Sequence, residues 1–90
     1  MQITGEIKRI LDIEEVSESF KKREFDVVTN DQYPQVLRVQ VVQDKCSILD
    51  SFSEGQSVQV SINLKGREWT NPSGEIKVFN TIESWKIDAI

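Results

Sequence analysis

Histidine is absent from this 90-residue chain. That removes the commonest general base and the commonest metal ligand. Cysteine occurs once, at Cys46, so no internal disulfide can form. With one Cys and no His, a zinc site lacks its ligands and a Cys–His or Ser–His nucleophile cannot be assembled within the chain. No apolar run approaches the ~20 residues that span a bilayer. The opening Met1-Gln2-Ile3-Thr4-Gly5 lacks the basic-then-apolar pattern of a signal peptide. These absences predict a cytoplasmic protein that is no enzyme, with no cofactor, no membrane partner and no small-molecule substrate.

Acidic residues outnumber basic ones by 15 to 11, a net charge of −4. Phosphate contacts dominate nucleic-acid affinity, so the sum alone opposes such a ligand. Distribution matters more than the sum. Residues 1–19 set Lys8 and Arg9 against Glu6, Asp12, Glu14, Glu15 and Glu18, and residues 46–64 hold Asp50 and Glu54 with no cation. Basic runs stand elsewhere, at Lys21-Lys22-Arg23 and at Lys65 and Arg67.

Ninety residues make one domain, 1–90, with a small core that buries roughly 60–65% of the unfolded surface. Alternation of period two predicts strands over Ile3–Ile13, Phe20–Thr29 and Gln35–Val42. Gly5 inside the first suggests a bend or bulge, as at a barrel corner. The acidic Glu14–Ser19 reads as a loop. Asn30 to Pro34 is rich in turn formers, with Tyr33 covering a barrel end or offering an aromatic contact. A short helix is expected around Lys45–Phe52, capped by Asp44, with Cys46, Leu49 and Ser53, or Ile48 and Phe52, sharing a face, and closed by Gly55 in a left-handed conformation.

Val58, Val60, Ile62 and Leu64 mark a fourth strand, and Ile76–Ile87 a fifth. In the fifth, Val78 and Ile82 are out of phase with Trp85 and Ile87, which a bulge near Ser84 would reconcile. Between them Asn71-Pro72-Ser73-Gly74 is a type I turn, with Pro second and Gly fourth. The fourth and fifth strands thus form a hairpin with a long arm. Three strands, a short helix and two strands is the element order of the OB-fold. The expected architecture is therefore an all-β, five-stranded OB barrel with its helix between strands three and four.

The arm carries Lys65, Arg67 and Trp69. Cations beside an exposed aromatic suit single-stranded nucleic acid, the charges for phosphate and the ring for a base. Lys77 and Phe79 on the return strand, and Lys22 and Arg38 on the barrel, complete the candidate set. Each has a structural reading beside the functional one. Trp69 packs across its own hairpin or against a partner subunit. Lys65 and Arg67 protect an edge strand from aggregation. Phe79 belongs to the core at the bulged strand, as large apolar residues mostly do. Lys21-Lys22-Arg23 is a solvated strand end, with Glu24 and Asp26 close by to oppose a phosphate chain. Trp85 is core or oligomer interface. The small core and abundant strand edge further predict a homo-oligomer, dimer or tetramer.

Glu54-Gly55-Gln56-Ser57-Val58-Gln59-Val60 and Arg67-Glu68-Trp69-Thr70-Asn71-Pro72-Ser73-Gly74 resemble the bacterial single-stranded DNA-binding protein family over about half of the chain. Ile3-Thr4-Gly5-Glu6-Ile7 agrees more weakly. The ending Ser84-Trp85-Lys86-Ile87 is similar to a group of small bacterial OB-fold proteins. The resemblance implies single-stranded DNA as partner, with RNA left open, and base stacking by Trp69. It departs in the second and third strands, where that family stacks bases on aromatics. Here those stretches carry Glu24, Asp26 and Val28, then Arg38, Gln40 and Val42.

Overall fold

The alternating runs build a sheet that closes on itself. A computed structural model describes residues 1–90, with β1 over Gln2–Ile10, β2 over Glu14–Ser17, β3 over Phe20–Thr29 and β4 over Val36–Val42. A 3-10 helix over Gln43–Ser51 follows, then β5 over Ser57–Thr70 and β6 over Ile76–Ala89. The sheet order is β1-β5-β6-β4-β3-β2, and β1 also pairs with β3. That extra pairing closes β1, β5, β6, β4 and β3 into a five-stranded barrel with OB topology. All neighbours are antiparallel except β4 and β6, which meet in parallel at Val39–Ile82 and Gln40–Glu83. The core is the inward set of each strand: Ile7, Phe25, Val27, Val39, Val41, Val58, Val60 and Ile62, with Leu49 of the helix over one end.

Closure depends on β1 serving two partners. Gln2–Glu6 pair with Ser61–Ser57 of β5, and Gly5–Ile10 pair with Thr29–Phe25 of β3. The two ladders overlap at Gly5 and Glu6, and at Gly5 the backbones crowd. A Cβ there would collide with the Val28 carbonyl oxygen and sit 2.9 Å from a Val27 methyl. So Gly5 marks the barrel corner by close approach. The bulge lies just beyond it, between Ile7 and Arg9.

Four expectations need correction. Glu14–Ser17 is a strand, not a loop: it pairs with β3 across a short hairpin, with Glu14 opposite Lys22 and Glu15 opposite Lys21, and none of its residues is buried. The helix is 3-10 rather than α, so Cys46 and Leu49, three apart, share the buried face. Asp44 lies in its first turn without capping it, and Phe52 rather than Gly55 ends it. Gly55 does take a left-handed φ of 88°, in the turn that leads into β5. Tyr33 projects into solvent and covers nothing.

Arg23 explains why the basic run at 21–23 is not a free cationic track. Its Nε donates to the Leu11 carbonyl at 2.8 Å, and its Nη1 to the Cys46 carbonyl at 3.2 Å and to Asp50 Oδ1 at 2.8 Å. One guanidinium thus ties the end of β1 and the helix to β3. Gln43 works similarly from a left-handed φ of 54°. Its side-chain amide donates to the Ser19 carbonyl and accepts from Lys21 N–H, standing in for one more peptide of the ladder.

In β6 the bulge falls where the phase shift requires it. Ser61 pairs with Lys86 and Ile62 with Ser84, leaving Trp85 without a partner. The extra residue brings Val78, Ile82 and Ser84 onto the same face as Ile87. Trp85 is therefore half-exposed and not core. Gly5→Ala should destabilise the fold by about 3 kcal/mol, because a backbone carbonyl cannot move aside cheaply. Gly74→Ala should cost about 1–2 kcal/mol, from its left-handed φ of 86° alone. Urea denaturation of the two variants measures the difference.

Candidate nucleic-acid interface

Beyond Ile62 on β5 and Ile82 on β6 the hairpin leaves the barrel. Asn63 to Thr70 and Ile76 to Asn80 are exposed throughout. At ~3.4 Å per residue, Asn63–Thr70 gives an arm about 25 Å long. The turn at its tip is built as the sequence indicates. Gly74 N–H donates to the Asn71 carbonyl at 3.0 Å, Asn71 N–H to the Glu75 carbonyl at 2.9 Å, and Glu75 N–H to Asn71 Oδ1 at 2.8 Å. Gly74 supplies the left-handed residue that a three-residue hairpin loop needs.

Register decides what the arm presents. Lys65 faces Thr81, Arg67 faces Phe79 and Trp69 faces Lys77. Residues directly opposite share a face, so all five arm candidates stand on one side of the ribbon. Each aromatic lies across from a cation, Phe79 from Arg67 and Trp69 from Lys77. Trp69 is 45% and Phe79 52% exposed, so neither is core. The core reading of Phe79 fails because the barrel ends before it. Arg67 and Lys77 make no ion pair, whereas Lys65 Nζ lies 2.7 Å from Glu83 Oε2. The arrangement offers two π-faces and two free cations on one two-stranded ribbon. The opposite face continues the inward side of the barrel and leaves Leu64, Ile76 and Val78 exposed.

Lys22 and Arg38 stand apart from the arm. They line a shallow cleft of about 440 Å3 with Glu24 and Gln40 on the outer face of β3 and β4, closed by Asn80, Thr81 and Ile82 at the root of the arm. Thr81 joins the two patches, being two residues from Phe79 on the same strand face. Lys22 Nζ lies 3.8 Å from Glu14 Oε2. Arg38 is engaged by Asp26: Nε donates to Oδ1 at 2.8 Å and Nη2 to Oδ2 at 2.9 Å. Arg9 Nη1 donates to the same Oδ2 at 2.7 Å.

Arg9, Asp26 and Arg38 form one row across β1, β3 and β4, since register sets each opposite the next. Asp26 is only 1% exposed although it sits on the outer face, because two guanidiniums cover it. The cluster carries net positive charge, so Asp26 does not oppose a phosphate chain as expected from the sequence. Arg38 holds the Asp26 carboxyl below the usual carboxylate range, against the opposing effect of burial and with help from Arg9. Asp26 in turn pushes the Arg38 guanidinium up. The sequence alone does not single out Arg9, because only strand register brings it beside Asp26 and Arg38.

The chain belongs to the family described as Domain of unknown function (DUF3127), whose model matches residues 2–88. No curated protein matches it in sequence. In structure it is similar to the mitochondrial single-stranded DNA binding protein Rim1 of S. cerevisiae. One crystal structure of Rim1 aligns over 100% of this chain and 92% of its own, with a TM-score of 0.73 at 13% identity. A selenomethionine-labelled crystal structure aligns over the same shares with a TM-score of 0.72, also at 13% identity. At that identity the likeness shows the OB-fold that the strand order already gives.

The Asp26 row makes stability sensitive to acid. Its folded pKa is lowered, so its contribution is complete above the ordinary carboxylate value of ~3.9 and is lost as pH falls through the folded value below that. Asp26→Asn should lower stability at pH 7 by about 1–3 kcal/mol, as charged hydrogen bonds are lost and the half-exposed arginines return to water. Below pH 4 the gap between Asp26→Asn and the unmodified chain should narrow. Urea midpoints from pH 7 to pH 2 check both.

Proposed function

We propose that this member of the DUF3127 family binds single-stranded DNA without catalysis, from the cation–aromatic face of its arm, and acts in the cytoplasm. One observation carries the reading: Arg67, Phe79, Trp69 and Lys77 alternate across one face of a hairpin whose register fixes them there. Bases stack on Trp69 and Phe79, and Arg67 and Lys77 neutralise phosphate. Lys65 contributes after release from Glu83. The Lys22–Arg38 cleft at the arm's root extends the track toward the barrel. A barrel of the same fold in a protein named for single-stranded DNA binding adds support at the level of fold.

Binding is weak on this reading, because the chain carries −4 overall and Glu24 and Glu83 flank the cleft and arm root. It is tolerant of sequence, because every base has a π-face. Anisotropy of labelled oligo-dT at low salt, with oligo-U as the RNA arm, tests it. Trp69→Ala should weaken binding by about 1–3 kcal/mol and more than Arg67→Ala does. Arg67→Ala should reduce the slope of log K against log salt by about 0.7, and Trp69→Ala should leave that slope unchanged. If the unmodified protein gives no signal with either oligonucleotide, the nucleic-acid reading fails. The arm is then a protein contact, with Leu64, Ile76 and Val78 as its apolar face.

A further inference from the structure

Closure protects the strands of the barrel, but the arm rises out of it with open edges. Only Ile82 and Glu83 of β6 pair with β4, and no strand pairs with the outer edge of Ile76–Asn80. The turn fixes which backbone groups this leaves unpaired. Asn71 bonds to Glu75, so odd-numbered residues of the arm exchange hydrogen bonds across the hairpin. Ile76, Val78 and Asn80 therefore direct their N–H and C=O groups away from β5. An edge of this kind is a template for another strand.

The two edges differ in what they can accept from a copy of themselves. Twofold antiparallel pairing on β5 brings like charges together in each central register. Centring on Gly66 sets Lys65 against Arg67, and centring on Arg67 or Glu68 sets that charge against itself. On β6 the register centred on Val78 has no such conflict. It places Val78 against Val78 and Ile76 against Asn80 on one face, and Lys77 against Phe79 twice on the other. Centring on Lys77 opposes two lysines. Centring on Phe79 sets Ile76 against Ile82, whose outward backbone groups β4 already holds.

We propose that a second copy of this chain pairs on the Ile76–Asn80 edge of β6, antiparallel, with Val78 on the twofold axis. The interface is isologous. It covers Val78, which is 63% exposed in the single chain. It also joins the two candidate binding faces into one four-stranded sheet. Each row then reads Trp69, Lys77, Phe79 of the second copy and Arg67 of the second copy, at ~4.8 Å per strand. Aromatic and cation alternate at every step, the pattern already present within one arm. The pairing extends the nucleic-acid reading, but its geometry does not require a bound strand.

Sedimentation equilibrium without nucleic acid, from ~1 to ~100 µM, tests it, since such a range populates even a micromolar pair. The expected mass at the upper end is twice that of the chain. Val78→Lys sets two ammonium groups on the axis, and Val78→Pro removes the outward N–H at a position where an edge strand tolerates proline. Each should weaken association at least tenfold with an unchanged circular dichroism spectrum. A single-chain mass at ~100 µM overturns the proposal, as does unweakened association in either folded variant. A monomer that still binds oligo-dT refutes the pairing and leaves the proposed function standing. A Val78-dependent dimer that does not bind it does the reverse.

Discussion

The ring of five strands closes through one strand that serves two partners, and it does so where two backbones approach without a side chain between them. Here that place is Gly5, where β1 passes from β5 to β3. The other seam, between β4 and β6, spans just two residue pairs. A ring so closed has a fixed height, set by the residues its neighbours can pair. β5 and β6 each run fourteen residues and exceed it. The surplus becomes the arm. Its existence follows from the mismatch between hairpin length and barrel height, and its exposure follows from the lack of any neighbouring element to cover it.

The same closure sorts the charges. Arg9, Arg23 and Arg38 lie within the ring's strands, and each is held by an acid or a carbonyl that the register brings beside it. Lys22 and Lys86 find carboxylates nearby as well. Among the eleven cations, Arg67 and Lys77 are left without an ion pair on an arm where each lies directly across from an exposed aromatic ring. Net charge is a poor guide to such a chain, because six of its eleven cations and five of its fifteen acids are taken up in ion pairs. What remains for a ligand is a small number of groups on the arm and the net positive row around Asp26.

Period-two alternation made the barrel strands, the Asn71–Gly74 turn and the Trp85 bulge readable, because each has a local cause in residue type or phase. Cover was not readable. Leu64 continues the pattern of Val58, Val60 and Ile62 without a break, yet it is exposed, because alternation reports which face a side chain takes and not whether anything lies over that face. Alternation likewise allows a core reading of Phe79, which is exposed because the barrel ends before it. β2 was invisible because all four of its residues are exposed and it has no apolar face, so only its ladder with β3 defines it. Burial of Asp26 was hidden because its cover comes from residues 17 and 12 positions away, brought together only by strand register.

Separation of arm from core has a consequence for how the two evolve and how they are probed. The residues that close the ring, Gly5, Phe25 and Val39 among them, touch none of the arm's exposed side chains. Substitution at Trp69, Arg67, Phe79 or Val78 therefore removes little buried surface and leaves the barrel's stability nearly intact. A face that contributes so little to folding has no folding reason to hold two large rings and two free cations in strict cross-strand alternation. Left in water, those rings and the apolar residues behind them favour association over solubility. On the proposed reading that placement serves a ligand that uses both π-faces and positive charge, presented on a ribbon clear of the barrel.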